Sequence, residues 1–181
     1  VHRIDKDTSG LLVVAKNDAA HLSLSAQIAD KTCAREYLAL CDGIFGQDSG
    51  RVETYIGRHP ADRLKMAVVP AGKGKYAATN YDVVERFPQG YTLVHFVLET
   101  GRTHQIRVHC KYLGHPVTGD PVYGSKKQKF NLNGQLLHAF RLTLTHPRTG
   151  ERMTFEAPLP AYFRKVLDAL RGRAGDGGEK A

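Results

Sequence analysis

The stretch VHRIDKDTSGLLVVA, residues 1–15, places Asp5 between two basic residues and ahead of an apolar run. The run from Leu11 to Ala15 predicts a buried strand, and the Thr-Ser-Gly sequence before it predicts a turn. A carboxylate close to cations stays ionised at neutral pH, so Asp5 is a candidate nucleophile. For this stretch taken alone, a solvated turn with a surface ion pair is the favoured alternative.

A second polar segment, LETGRTHQIRVH at residues 98–109, contains two arginines and two histidines. A glycine between a strand and a helix permits a tight turn and a close approach of the backbone to a ligand. Thr103 to Leu113 is predicted to be a short helix that ends at Gly114. Because Arg107 shares a helical face with Lys111, it is either a site residue or part of a basic face in water.

Four segments together resemble the RluA/RluD-type family of RNA pseudouridine synthases. The two stretches quoted above are similar to the family motifs HRLDxxTSGLL and TGRTHQIRVH. The other two are REYLAL at residues 35–40, which is similar to the family's tyrosine motif, and GHPVTGDPVYG at residues 114–124. The sequences LLHA and THP further along also match. The resemblance runs in the family's order from Val1 to about Phe163, which chance similarity does not explain.

The resemblance implies a cofactor-free isomerisation of uridine to pseudouridine in RNA. Asp5 matches the family's catalytic aspartate, and Arg107 matches an arginine that would pair with it. Tyr37 would stack on the displaced uracil and assist removal of the C5 proton, although an aromatic residue on a strand is more often part of a core. Leu136 or Leu137 would form an apolar wall beside the base, with a core position as the alternative.

The resemblance also implies contacts with the nucleic acid around the target. A uridine within structured RNA has to leave the base stack before it can react. Arg3 is expected to fill the vacated space or to hold a phosphate. Lys6, Arg102 and His104 are the expected phosphate contacts near the mouth of the cleft. The basic connection over residues 43–69 either lies along an RNA backbone or is a solvated loop.

Composition agrees with an RNA partner. The 181 residues include 26 Lys and Arg against 18 Asp and Glu, a net charge of +8, although many basic intracellular proteins bind no nucleic acid. The three cysteines lack the spacing of a zinc site or a disulfide framework and are expected in the core. The spacing of His2, His104 and His109 suits no usual metal site, and no stretch is apolar enough to span a membrane. We therefore expect a monomeric, cytoplasmic protein that holds no metal.

The order of predicted elements favours an α+β fold, a single domain over residues 1–171. Its sheet is expected to be mixed and largely antiparallel, with flanking helices and, from the family resemblance, an active cleft across the sheet. Strands are predicted over 11–15, 35–41, 77–85, 91–99 and 137–145, and helices from about 18 to 30, over 103–113 and over 160–171. Residues 172–181 are predicted to be disordered. Because the chain starts at the first motif without a methionine, the N-terminal part of the domain is expected to be missing.

Three functions compete for this sequence. The first is a pseudouridine synthase that acts on ribosomal RNA of the large subunit, with transfer RNA as the alternative substrate. The second is a catalytically silent RNA-binding domain on the same fold. The third is a glycosyl hydrolase, which would need a second catalytic acid near Asp5. Asp7 and Glu99 are the candidates for that acid.

Overall fold

The computed structural model describes residues 1–172, which form eight strands and three helices. In chain order the elements are β1 (Ser9–Gly10), α1 (Asp18–Ala29), β2 (Ala34–Asp42), β3 (Ser49–Arg58), β4 (Met66–Val69), β5 (Lys75–Phe87), β6 (Tyr91–Leu98), α2 (Gln105–Tyr112), β7 (Leu137–Thr145), β8 (Arg152–Glu156) and α3 (Ala161–Leu170). The predicted tail beyond residue 172 lies outside the described residues.

All eight strands belong to one sheet, in which β1, β7, β2, β6, β5, β3 and β4 follow one another and β8 pairs with β7. The short β1 runs parallel to β7, and every other pair of neighbours is antiparallel. The prediction of a mixed, largely antiparallel sheet in an α+β domain is therefore confirmed.

Helices pack on both faces of the sheet, and side chains alternate between the two faces along each strand. Tyr37, Ala39 and Cys41 of β2 pack with Ile106 of α2 on one face. Leu40 packs on the other face, against α3, with the α3 side chains Phe163, Val166, Leu167 and Leu170. The helix predicted over 160–171 is present as α3, and all three cysteines are buried and free, as predicted.

The predicted strand over residues 11–15 is wrong. The parallel pairing ends at Gly10, and the backbone N–H of Leu11 still donates to the Ala139 carbonyl at 2.9 Å. The next inward residue, Val13, donates its N–H to the His2 side chain instead of to a neighbouring strand. The apolar run is still partly buried, since Leu11 and Val13 pack against the cluster around Leu24. Alternate residues are buried in this segment, which gives its sequence the pattern of a strand although no strand forms.

Two further local expectations need correction. Asn17 caps α1 by accepting the Ala20 N–H at 2.9 Å. Helical spacing places Leu22, Ala26 and Ala29 on one side of this helix, but Leu22 is 71% exposed and Leu24 is the buried residue. The strand β8 was not predicted, because four of its five residues are exposed. Within residues 1–172, no helix combines the length and the apolar character that crossing a membrane requires.

Candidate active site

Asp5 lies in a loop that the side chain of Gln135 holds in place. Gln135 is buried and donates from Nε2 to the Lys6 carbonyl oxygen at 2.7 Å and to Thr8 Oγ1 at 2.9 Å. The Thr8 N–H donates in turn to the Asp5 carbonyl oxygen at 3.1 Å. The Asp5 side chain keeps 14% exposure. The loop is thus fixed through its backbone, while the carboxylate stays accessible.

The loop is also tied together by His2, whose Nε2 accepts the Val13 N–H at 3.0 Å. Burial, with a smaller contribution from the charge of Arg35, lowers the pKa of His2 to about 4. The ring is therefore neutral at pH 7, which leaves Nε2 free to accept a hydrogen bond.

Beyond the turn, β1 anchors the loop to β7. Ser9 Oγ and His138 Nδ1 are 2.8 Å apart, and His138 Nε2 lies 3.0 Å from the Ala157 carbonyl oxygen. A carbonyl can only accept, so Nε2 carries the proton and Nδ1 accepts from the Ser9 hydroxyl. Gly10, with φ of 108°, sits against the Ala139 carbonyl, where any side chain would collide. The loop carrying Asp5 therefore has a defined path into the sheet.

Arg107 of α2 reaches Asp5 and is itself held by Asp120. Arg107 Nη1 lies 3.3 Å from Asp5 Oδ2, while Nε and Nη2 donate to the two Asp120 oxygens at 2.6 and 2.9 Å. The side chains of Arg107 and Asp120 are 4% and 0% exposed. Asp120 Oδ1 also accepts the N–H groups of Val122 and Tyr123 at 2.8 and 3.0 Å. One guanidinium thus lies between two carboxylates, of which only Asp5 is accessible.

The surroundings of Arg107 preserve its positive charge. Burial opposes that charge, but the hydrogen bonds and charges of Asp120 and Asp5 outweigh it and raise the pKa of Arg107. The guanidinium carbon also lies 5.1 Å from the centre of the Tyr123 ring, within cation–π range. The alternative of a basic helix face in water therefore fails for Arg107, whereas it describes the exposed Lys111.

Asp5 borders a cavity of about 350 Å³. Tyr37 and Leu137 also line this cavity, and both are buried. Burial raises the pKa of Tyr37, Arg35 opposes the shift and Asp5 adds to it, so the phenol keeps its proton at pH 7. The cavity thus combines an accessible carboxylate, a protonated phenol and an apolar wall.

Three of the predicted RNA contacts line the same cavity: Arg3, Arg102 and His104. Arg3 is exposed, and Arg102 donates from Nε to the Tyr76 carbonyl oxygen at 2.8 Å. His104 caps α2 with a left-handed φ of 56°, and its Nδ1 lies 2.8 Å from the Tyr123 hydroxyl. Burial lowers the pKa of His104 despite the nearby carboxylate of Asp5.

Two predicted site residues lie elsewhere. Leu136 is fully buried on the opposite face of the sheet, in the cluster with Phe163 and Leu167. The prediction that it forms an apolar wall beside the base is therefore wrong, and Leu137 is the remaining candidate for that wall. Adjacent residues of a strand point to opposite faces, which is why only one of the two leucines can face the cavity. Lys6 is exposed and does not line the cavity, and the site uses only its carbonyl oxygen.

Comparison with known proteins identifies the family of this chain. Residues 1–112 match the family model described as RNA pseudouridylate synthase, and this match covers more than half of the chain. The chain belongs to the RNA pseudouridylate synthase family. Its curated relatives include the "Uncharacterized RNA pseudouridine synthase YlyB" of Bacillus subtilis, 54% identical over 94% of this chain and 55% of the relative. The "Ribosomal large subunit pseudouridine synthase D" of Nitrosomonas europaea is 49% identical over 94% of this chain and 51% of the relative.

Solved structures agree with this assignment of the pseudouridylate synthase fold. The human protein described as RNA Pseudouridylate Synthase Domain Containing 1 superposes with a TM-score of 0.75 and 30% identity, over 94% of this chain and 78% of that chain. Human RNA Pseudouridylate Synthase Domain Containing 4 gives a TM-score of 0.77 at 25% identity, over 94% and 74%. The chain spans about half the length of the curated relatives it matches.

Three residues of this candidate site were not singled out from the sequence: Asp120, Tyr123 and Gln135. Asp120 and Tyr123 stand within the quoted segment GHPVTGDPVYG, so the motif offered a signal, but its spacing does not show that they contact α2. Gln135 follows an irregular stretch, and no pattern distinguishes it from a surface glutamine.

A buried polar network fixes α2 against the sheet. His109 Nε2 lies 2.8 Å from Thr54 Oγ1, and its Nδ1 lies 2.9 Å from Thr79 Oγ1. Gln105 Nε2 donates to the same Thr79 oxygen at 2.9 Å, and Gln105 Oε1 accepts the Arg102 N–H at 2.9 Å. Arg107 lies between these two anchored residues, which fixes the direction of its side chain. His109, His104 and His2 bond to different partners and do not converge on one point.

Proposed function

We propose that this chain is the catalytic domain of an enzyme that converts uridine to pseudouridine in RNA. The observation that carries the proposal is the Asp5 carboxylate, held 3.3 Å from the buried Arg107 guanidinium at the edge of a cavity that Tyr37 also lines. An RNA-binding domain needs a cationic and aromatic surface. It does not need an accessible carboxylate that is paired with a buried arginine.

The reaction exchanges one bond for another. The bond between uracil N1 and ribose C1′ breaks, the base rotates, and C5 bonds to C1′. C5 loses a proton and N1 gains one, so the change is redox neutral and the proposal includes no cofactor. Asp5 would act on the sugar, on the base or by promoting a glycal intermediate, and all three routes need the carboxylate ionised.

The other site residues receive supporting roles in this proposal. Arg107 orients Asp5 and holds its charge. Tyr37 stacks on the detached uracil as a neutral phenol, with Leu137 as the apolar wall. Because burial keeps the Tyr37 hydroxyl protonated, the C5 proton passes to Asp5 or to water in this proposal.

The basic residues at and beside the cavity contact the RNA in this proposal. Arg3 fills the gap that the extruded uridine leaves in the RNA. Arg102 and His104 bind phosphate at the cleft mouth, with Lys6 further out on the exposed surface.

We infer that the substrate is large-subunit ribosomal RNA. Relatives from Nitrosomonas europaea, Neisseria meningitidis and Pseudomonas aeruginosa, 45–49% identical, carry the name ribosomal large subunit pseudouridine synthase D. Transfer RNA is the second candidate, and we expect the enzyme to act as a monomer in the cytoplasm.

The glycosyl hydrolase alternative is weakened by Glu99. Hydrogen bonds from Arg51 and Asn80 lower the pKa of Glu99 to about 2, whereas a general acid needs a raised pKa. Asp7 is exposed and is not among the residues that line the cavity.

The test is direct. The chain is incubated with transcripts of large-subunit ribosomal RNA and, in parallel, of transfer RNA. Each RNA is then digested to nucleosides, and pseudouridine is quantified. We expect pseudouridine from the ribosomal transcript with wild-type protein and none with Asp5→Asn. RNA binding without pseudouridine in either transcript would favour the silent RNA-binding domain.

A further inference from the structure

A second pocket is lined by Tyr123, whose hydroxyl contacts His104 of the cavity. It measures about 380 Å³ and lies between β4, the C-terminal part of α2 and the turn at residues 122–124. Its volume falls within the range of pockets that hold small organic groups. None of the roles assigned to the cavity beside Asp5 uses this pocket.

The walls of the pocket are suited to a flat ring. Val68, Val108 and Val122 are apolar residues in its lining. Tyr112, the last residue of α2, lies at the pocket with 60% of its surface exposed. Exposed aromatic rings beside an apolar surface are the usual platforms on which proteins stack the bases of single-stranded nucleic acid.

The charged residues of the pocket favour an anion. Lys65 and Lys111 line it, together with His59, whose Nδ1 accepts the N–H groups of Ala61 and Asp62, and its lining contains no carboxylate. Lys65 makes an exposed ion pair with Asp62 at 3.4 Å, whereas Lys111 makes no ion pair with any residue of the described part of the chain. Lys111 is therefore available to a phosphate.

Tyr123 links the pocket to the proposed reaction site. Its hydroxyl accepts the Met66 N–H of β4 at 2.9 Å and lies 2.8 Å from His104 Nδ1. Its ring lies 5.7 Å from the His104 ring, centre to centre, and 5.1 Å from the Arg107 guanidinium carbon. A group bound against β4 and Tyr123 is thus close to His104, which lines the cavity, and to Arg107, which contacts Asp5.

We propose that this pocket binds a nucleotide of the RNA close in sequence to the target uridine. The base stacks on Tyr112 over the apolar floor, and Lys111 and Lys65 contact its phosphates. This inference rests on the proposed function for the identity of the RNA, but it concerns binding and does not depend on turnover. It also gives the basic connection over residues 43–69 a definite contact with RNA.

The experiment combines equilibrium binding with photo-crosslinking. Fragments of large-subunit ribosomal RNA carrying 4-thiouridine are titrated with wild type, Tyr112→Ala, Tyr112→Phe and Lys111→Ala, and crosslinked peptides are identified by mass spectrometry. Tyr162→Ala serves as the matched control, because Tyr162 is an exposed tyrosine on α3, across the sheet from α2.

We expect Tyr112→Ala to weaken RNA binding by about 5- to 150-fold, the range of a lost base–aromatic stack, and Tyr112→Phe to bind as wild type does. Lys111→Ala should reduce the slope of log affinity against log salt by about one. The crosslinks of wild type should fall in the peptide that contains Tyr112.

Wild-type affinity in both Tyr112→Ala and Lys111→Ala, or crosslinks that avoid this peptide, would overturn the inference. An equal loss of affinity in Tyr162→Ala would also overturn it. A chain that crosslinks through Tyr112 but forms no pseudouridine would support the pocket and contradict the proposed reaction, which keeps the two failures distinct.

Discussion

Asp120 holds Arg107 through two hydrogen bonds, of 2.6 and 2.9 Å, and leaves one terminal nitrogen of the guanidinium for Asp5. The pair is fully buried, so its charges depend on each other for compensation. Asp120 is therefore the structural partner of Arg107, and Asp5 is the accessible one. The two carboxylates should respond differently to the same substitution.

Asp120→Asn should destabilise the fold and lower turnover together. Arg107 would then have only the partly exposed Asp5, 3.3 Å away, as its counter-charge. The free energy of unfolding should therefore fall, by up to about 3 to 5 kcal/mol. Urea denaturation and kcat measurements test this. Asp62→Asn, which removes the exposed partner of Lys65, is the control and should unfold like wild type. An Asp120→Asn protein with wild-type stability would contradict the structural role.

Asp5→Asn should abolish isomerisation and leave the fold and RNA affinity close to those of wild type. The change removes a charge from a partly exposed side chain and keeps its volume, while Asp120 still compensates Arg107. Single-turnover assays and RNA titrations of the same preparation make the comparison. Substantial pseudouridine formation by Asp5→Asn would remove Asp5 from the mechanism.

Arg107→Lys should keep the fold and most of the RNA affinity but lose turnover. An ammonium group is a point charge, and it cannot donate to both oxygens of Asp120 and to Asp5 in the geometry of the guanidinium. Arg107→Met should be worse in stability as well, because it leaves Asp120 buried without a cation. Comparison of kcat and melting temperature across the two variants tests this order, and equal melting temperatures would contradict it.

Acid should destabilise the protein partly through His109. Burial lowers the pKa of His109 to about 4 in the folded protein, against about 6.5 in the unfolded chain. The contribution of neutral His109 to the free energy of unfolding is therefore complete above pH 6.5. It is lost as the pH falls towards 4, at up to about 1.4 kcal/mol per pH unit. Urea denaturation between pH 7.5 and 4.5 measures the slope. His109→Gln should flatten it, and an unchanged slope would exclude His109 as a cause.

RNA affinity should fall steeply with added salt, because each neutralised phosphate releases condensed counterions. Charge reversal at Arg63 and Lys65, both in the basic connection, should weaken binding without changing the single-turnover rate at saturating protein. Titrations between 50 and 200 mM salt measure the slope. A flat response would count against a surface that follows the RNA backbone.

The sequence predicted those parts of the fold that depend on strong local patterns. β2, β6, β7 and α3 combine regular alternation or helical spacing with apolar residues on one face, and the structure contains them close to the predicted bounds. The pattern predicted a strand wrongly over residues 11–15, where the Val13 N–H donates to the His2 side chain and not to a neighbouring strand. It also misled on α1, whose alanines and leucines lie on several sides of the helix.

The candidate site was predictable only as far as the motifs reached. Asp5 and Tyr37 line one cavity and Arg107 contacts Asp5, as the motifs predicted. The choice between Leu136 and Leu137 needed the strand register, which the sequence does not contain. The pairing of Arg107 with Asp120 arises because the turn at residues 120–123 folds back onto α2, a long-range contact without a local pattern.

The loop that carries Asp5 is fixed by residues that follow it much later in the chain. The bond between Ser9 and His138 joins positions 129 residues apart, and Gln135 closes the turn from a similar distance. Contacts of such long sequence separation form late in folding, after the local elements. During synthesis, therefore, Asp5 emerges from the ribosome long before Gln135 and β7 exist to position it. A nascent chain would carry the carboxylate without an assembled site, and competence to react would arise only near the end of translation of this domain.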